Sequence, residues 1–140
     1  MHKVLAVAAC ALFALPVATA AHAEGNLASN GTSLAINIDA EQLTLDTNRF
    51  EIETGKYYKL AITVTNPDDT ALVMPELFRN VWINQIVVDD LEIKVQTPYS
   101  LEWDADGTFT VTFVPIRPGE YDFWVPGYES RGLKGTFVVK

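Results

Sequence analysis

Histidine and cysteine are confined to one short part of this sequence. His2, His22 and Cys10 are the only residues of these two types. A basic start, an apolar run and small residues at its end predict that residues 1–23 are a secretory signal peptide, cleaved before Glu24. The chain that follows then has no disulfide, no thiolate nucleophile, no histidine base and no metal held by histidine or cysteine.

Long apolar runs and basic clusters are also scarce. The one long apolar run lies in the predicted signal peptide, is short for a bilayer span and is followed by a polar segment. We therefore predict a periplasmic protein without a stable membrane anchor. Lys3 is the only charged residue of residues 1–23, so the rest of the chain has nine basic and 18 acidic residues and a formal charge of −9. This acidity, with no basic patch, excludes nucleic acid as a partner and favours cationic partners or hard cations.

Apolar and polar residues alternate along most of the remaining chain. The clearest alternating runs are Leu34 to Ile38, Tyr58 to Val64, Phe109 to Phe113 and Tyr121 to Phe123. Turn residues separate such runs about every ten positions, which is typical of short antiparallel strands. The pattern predicts an all-β fold, a Greek-key β-sandwich or barrel of about seven or eight strands.

The domain organisation follows from the same pattern. Residues 24–32 are small and polar and are predicted to be a flexible leader. Residues 33–140 contain no linker or repeat and are predicted to form one domain. The only helix candidate is Pro75 to Val81, where proline could occupy the first turn, and this segment is predicted to be a short helix or a loop.

Three stretches resemble a known family: FEIETGKYYKLAITVTNPDDTALVM (Phe50–Met74), TFTVTFVPIRPGEYDF (Thr108–Phe123) and PGYESRGLKGTFVV (Pro126–Val139). Together they resemble the cupredoxins, the blue-copper β-sandwiches, and especially the EfeO-type cupredoxin-like branch. The combination of P-G-x-Y-x-F with a later Pro-Gly and a Gly-x-x-Gly pair is the most specific feature. The resemblance implies a cupredoxin fold over nearly all of the chain after residue 23.

The resemblance also implies where the copper ligands of the family fall, and other residues stand there. Tyr128 takes the position of the second histidine, and Leu133 takes that of the methionine. The cysteine position falls on Phe123 or on Val125, depending on the direction of counting.

The first histidine is expected between Leu72 and Glu76, where Met74 is the only soft donor. A type-1 copper centre needs a thiolate and two imidazoles. We therefore predict that the type-1 copper site is missing, and with it electron transfer through copper.

Two interpretations of the former metal end remain open. In the first, hydrophobic and aromatic side chains fill it, because tyrosine for histidine and leucine for methionine keep similar volumes. In the second, oxygen donors and a thioether bind a hard cation or copper. The residues proposed for this rebuilt metal site are Met74, Glu76, Tyr128 and Glu129, with a contribution from Asp68 or Asp69. Arg79 is predicted to pair with Glu76.

Catalysis is the poorest fit to the sequence, because Ser130 lacks a base and no G-x-S-x-G elbow is present. The first hypothesis is a non-catalytic periplasmic module with no resident cofactor, which docks a redox or metal-transport partner. The resemblance implies that such partners bind the apolar patch around the metal position. The predicted docking residues are Trp124, Tyr128, Leu133 and Phe78. The alternatives are a periplasmic metal-ion-binding protein and an electron-transfer accessory protein, and no oligomeric state is predicted.

Overall fold

Strands account for most of the regular structure in residues 30–140, which are the residues that the computed structural model describes. The predicted signal peptide and most of the predicted leader lie outside the described residues. The first strand begins at the end of that leader. The strands are β1 (Thr32–Asp39), β2 (Thr44–Leu45), β3 (Arg49–Ile52), β4 (Tyr58–Thr65), β5 (Thr70–Val73), β6 (Val81–Val88), β7 (Leu91–Ile93), β8 (Ser100–Trp103), β9 (Gly107–Pro115), β10 (Gly119–Trp124) and β11 (Lys134–Val139).

The strands form two mixed sheets that pack as a sandwich. One sheet has six strands in the order β2-β1-β4-β9-β6-β7, and the other has five in the order β3-β11-β10-β5-β8. β1 pairs with β4 in parallel, as does β3 with β11, and the other pairs are antiparallel. The predicted all-β sandwich is confirmed. The predicted strand number was too low: residues 30–140 contain eleven strands, some of them short, with two residues in β2 and three in β7.

The alternation of β4 shows how the interior is built. Every second residue of this strand is buried, and the residues between them are exposed or half-buried. The buried residues are Tyr58, Leu60, Ile62 and Val64. Because side chains of a strand point alternately to its two faces, this pattern places one apolar row against the opposite sheet.

An aromatic cluster fixes the hairpin of β10 and β11 to the interior. The ring centroids of Phe50 and Phe137 are 4.7 Å apart, and those of Phe123 and Phe137 are 5.4 Å apart. Burial of each such ring stabilises the fold by about 1.5–3 kcal/mol. The hairpin is therefore held by its inward face.

The predicted helix near residues 75–81 is confirmed as α1 (Pro75–Arg79). Proline starts it, and Leu77 and Phe78 are buried. The helix ends at Asn80, whose backbone N–H donates to the Leu77 carbonyl. The predicted pair of Arg79 with Glu76 is present on its exposed side. None of the helices in residues 30–140 has the length and apolar composition needed to cross a bilayer.

The P-G-x-Y-x-F stretch has a structural explanation at the start of β10. The Tyr121 hydroxyl donates to the backbone carbonyls of Arg117 and Pro118, at 3.0 and 3.3 Å. A Cβ on Gly119 would lie 2.9 Å from that hydroxyl oxygen. This arrangement is a tyrosine corner, which joins a strand to the loop before it in many β-sandwiches. It requires glycine and tyrosine without any metal.

The Gly-x-x-Gly pair is also explained by the backbone. Gly132 has φ 95° and closes a 3₁₀ turn, Glu129–Arg131, where most side chains are strained. A Cβ on Gly135 would lie 2.3 Å from the Asn48 carbonyl oxygen and 2.4 Å from a Phe123 ring carbon. Both glycines are therefore needed by the hairpin itself.

Candidate functional site

The loop of residues 125–133 joins β10 to β11 and covers one end of the sandwich. Five backbone hydrogen bonds hold it, and three of them fix its two ends and Tyr128: Val125 N–H to the Leu133 carbonyl at 2.9 Å, Tyr128 N–H to the Val125 carbonyl at 3.0 Å, and Leu133 N–H to the Tyr128 carbonyl at 3.2 Å. It borders a cleft of about 100 Å³, which we call the loop end. The cleft is lined by Ala40, Leu43, Asp68, Asp69, Thr70, Ala71, Val125, Pro126, Tyr128 and Leu133.

The side chains of this loop divide into a buried and an exposed group. Val125 and Leu133 are buried, and Leu133 keeps only 2% of its surface. The prediction that Leu133 belongs to an exposed docking surface is therefore wrong, because its side chain packs into the core. Tyr128 is 43% exposed. It is the aromatic residue that the loop presents at the cleft.

Met74 does not reach the loop end. Trp124 at the end of β10 pairs with Val73 at the end of β5, and the two strands are antiparallel. The residues before β5 therefore lie beside the loop, and the residues after it lead away towards α1. Met74 follows Val73 and is fully buried.

The segment that replaces Met74 at the loop end is Asp68–Ala71. The resemblance placed the first-histidine position at Leu72–Glu76, but the alternation of β4 does not show how the chain continues after it. The chain crosses there from the six-stranded to the five-stranded sheet. Asn66 and Asp69 have φ values of 51° and 47° in this crossover. Those left-handed conformations turn the chain before β5.

The other predicted metal donors are also dispersed. Glu76 lies on the exposed side of α1 with Arg79. Glu129 borders a different groove, and it does not line the cleft beside Tyr128. Tyr128 and Glu129 thus line separate cavities, neither of which is lined by Met74 or Glu76, and within residues 30–140 no three carboxylates are placed to hold one ion.

Phe78 was predicted to belong to the docking surface, and this prediction is wrong. It keeps 1% of its surface, because α1 turns this ring towards the core. Of the four predicted docking residues, Tyr128 and Trp124 therefore remain accessible, and they border different depressions.

Trp124 borders a groove on the outer face of the five-stranded sheet, with a volume of about 560 Å³. The indole is half-buried. We call this depression the outer groove. Its lining residues are Asn48, Arg49, Asp122, Phe123, Trp124, Glu129, Lys134, Gly135 and Thr136.

Comparison with solved structures relates this architecture to copper proteins. Auracyanin from Roseiflexus castenholzii is 20% identical, with a TM-score of 0.54 over 80% of this chain and 99% of that one. Auracyanin A from Chloroflexus aurantiacus, a "blue" copper protein, is 14% identical, with a TM-score of 0.51 over 79% and 100%. The fold is cupredoxin-like.

Larger copper enzymes contain the same fold. A laccase from Pediococcus acidilactici is 9% identical, with a TM-score of 0.63 over 83% of this chain and 28% of the laccase. At these identities the likeness concerns the fold. No family model and no curated protein matches this chain.

The residues of this cupredoxin-like domain do not fit a blue-copper centre. Such a centre takes a thiolate and two imidazoles, and residues 24–140 contain neither histidine nor cysteine. The loop end offers instead the side chains of Val125, Leu133 and Tyr128 with the carboxylates of Asp68 and Asp69. We therefore derive no electron-transfer step through copper.

Proposed function

We propose that this protein is a non-catalytic cupredoxin-like binding module of the EfeO-type branch. It is exported to the periplasm, has no type-1 copper and no other resident cofactor, and docks a redox or metal-transport protein through the loop end. The observation that carries the proposal is the exposure of Tyr128, next to exposed Pro126, beside a cleft whose loop residues Val125 and Leu133 are packed inside.

An exposed aromatic ring on a fixed loop is suited to protein recognition. Tyrosine buries a large area on binding and loses few rotamers, and it is enriched among the residues that dominate binding energy. The backbone hydrogen bonds within the loop orient Tyr128 before a partner arrives. Such preorganisation reduces the entropy lost on binding.

The charge of the loop end indicates the chemistry of its partner. Asp68 and Asp69 are exposed at the rim of the cleft. The chain after residue 23 has a formal charge of −9. Complementary charge increases the association rate and makes it dependent on salt. We therefore expect the partner to present lysine or arginine around an apolar pocket.

The test uses the wild-type protein and two tyrosine variants as baits in a periplasmic extract, and compares which proteins each bait retains. Tyr128→Ala removes the ring at the loop end, whereas Tyr99→Ala removes a 62% exposed ring that does not line the loop end. We expect wild type and Tyr99→Ala to retain the same protein, and Tyr128→Ala to lose it. The double variant Asp68→Asn, Asp69→Asn is expected to weaken the salt dependence of capture.

Two results would contradict the proposal. One is equal capture by Tyr128→Ala and wild type, which would move the interface elsewhere. The other is a mature chain that keeps residues 1–23, as read from its intact mass, because export with cleavage before Glu24 is part of the proposal.

A further inference from the structure

We propose that the outer groove is a binding site for a neutral saccharide. The groove places the half-buried Trp124 beside ionic side chains that do not pair with each other and whose charges sum to zero. This inference concerns the sheet face and does not depend on protein docking at the loop end.

The strand register forms the groove from two neighbouring rows of paired residues in the sheet. In one row, Asp122 of β10 lies opposite Thr136 of β11, and Thr136 lies opposite Arg49 of β3. In the next row whose side chains point outward, Trp124 lies opposite Lys134. Two residues along a strand span about 7 Å, and two strand spacings span about 10 Å. The area matches one or two sugar rings, and the volume of about 560 Å³ lies in the range of small-molecule sites.

Four ionic side chains line this groove without pairing to each other. The ion pairs formed within residues 30–140 join Lys56 to Glu53, Arg79 to Glu76, Lys94 to Glu92 and Lys140 to Glu51. None of them uses a residue of the groove. Arg49 and Lys134 therefore keep their N–H donors, and Asp122 and Glu129 keep acceptor oxygens, although Asp122 Oδ1 accepts one bond from the Thr136 hydroxyl at 2.7 Å.

This balance of charge selects the class of ligand. Two cations and two carboxylates give the groove a net charge of zero, in a chain that is strongly acidic overall. A phosphate would meet the carboxylates of Asp122 and Glu129, and a cation would meet Arg49 and Lys134. A hydroxyl both donates and accepts, so it can satisfy a carboxylate and a cation together. A saccharide presents many hydroxyls in a fixed arrangement.

Trp124 supplies the apolar part of such a site. Its indole covers a large area and keeps a polar N–H at the ring edge. The C–H face of a pyranose can pack on the ring while the hydroxyls of its rim reach the ionic groups. Gly135 lies between Lys134 and Thr136 and contributes only backbone to the lining.

The experiment is a titration followed by nuclear magnetic resonance of ¹⁵N-labelled protein. The probes are tetrasaccharides of glucose, of N-acetylglucosamine and of galactose. We expect at least one of them to shift the Trp124 indole N–H and the Gly135 amide in a saturable manner. Trp124→Ala is expected to weaken that binding by about tenfold or more, which corresponds to about 1.4 kcal/mol, and Trp124→Phe is expected to retain part of it.

Trp82→Ala is the matched control, because Trp82 is 41% exposed and lies on β6 of the other sheet. It is expected to leave the affinity unchanged. Asp122→Asn provides a second variant that keeps the groove packed and removes one charge, and it is expected to weaken binding too. The melting temperature of each variant checks its folding.

Three results would overturn the proposal. The first is the absence of any shift with all three tetrasaccharides. The second is an equal affinity in wild type, Trp124→Ala and Asp122→Asn. The third is a response of the same resonances to inorganic phosphate or to glycylglycine in place of the saccharides, which would assign the groove to an anion or a zwitterion. Tyr128→Ala is expected to bind the saccharide normally, so failure here is distinguishable from failure of protein docking.

Discussion

The two faces of the β10–β11 hairpin differ in what determines their residues. The inward face carries Phe123, Leu133 and Phe137, which are all buried in the core. The outward face carries Asp122, Trp124 and Lys134, which are exposed or half-buried. Phe123 and Trp124 are adjacent in sequence and serve opposite faces. Packing in the core therefore constrains the residues of the inward face and does not constrain those of the outward face.

The same contrast explains how features of copper proteins can occur without copper ligands. The tyrosine corner needs Gly119 and Tyr121, and the close approach of Asn48 to β11 needs Gly135. These requirements belong to the inward face and the backbone. The frame is therefore compatible with Val125 and Tyr128 at the loop end.

The largest expected difference is between two variants in which one or the other of these adjacent aromatic residues is replaced by alanine. Phe123→Ala is expected to lower the free energy of unfolding by about 3–5 kcal/mol, because it leaves a cavity in the core. Trp124→Ala is expected to cost about 1–2 kcal/mol, because the indole is only half-buried. Urea unfolding of both variants measures the difference. Equal losses of unfolding free energy in the two variants would contradict the distinction between the inward and outward faces.

Two glycines give the next test. Gly135→Ala forces a methyl group against a backbone oxygen and a core ring, and it is expected to cost about 3 kcal/mol. Gly127→Ala is the control, since its φ is 85° but nothing lies within 4 Å of the added Cβ, and about 1 kcal/mol is expected. Thermal unfolding compares the two. A Gly135→Ala protein as stable as wild type would show that β11 and residue 48 are not in close contact.

A smaller effect is expected at the tyrosine corner. Tyr121→Phe removes the hydroxyl that donates to two carbonyls, and it is expected to cost about 1 kcal/mol. Tyr128→Phe removes an exposed hydroxyl and is expected to change stability little. Urea unfolding measures both. An effect at Tyr128 as large as that at Tyr121 would place a structural bond in the loop, against the proposal that this ring is free to dock.

The smallest effect concerns Glu51, on the outward side of β3. A 2.7 Å hydrogen bond from Lys140 Nζ, together with the charge of Lys140, holds the pKa of Glu51 below its ordinary value. A lowered pKa adds stability above the pKa of the unfolded chain, and this stability is lost as the pH falls through the folded pKa. Lys140→Met is expected to raise the pKa of Glu51 in a carboxyl resonance titration, and Lys59→Met is expected to leave it unchanged. No change with Lys140→Met would show that the pair does not form in solution.

The sequence predicted most of the fold because strand alternation records which face is buried. Tyr58 to Val64 and Phe109 to Phe113 alternate clearly, so the sandwich followed from their pattern. The helix was found because proline marks its first turn.

The candidate site was harder to predict, because it depends on register between distant strands. Pairing of Trp124 with Val73 decides that Asp68–Ala71, and not Met74, borders the loop end. The outer groove was missed for the same reason. Arg49, Asp122 and Lys134 belong to three strands, and only their pairing brings them together. The available signal for the groove was strand alternation, which places these side chains on the face opposite to that of Phe123.

The most direct test of the central claim is a copper titration of purified protein, followed by visible absorption and by the copper bound per chain. We expect no intense visible charge-transfer band of a copper–thiolate and no stoichiometric copper, because apolar side chains occupy the interior of the loop end. One tightly bound copper per chain with that band would contradict it.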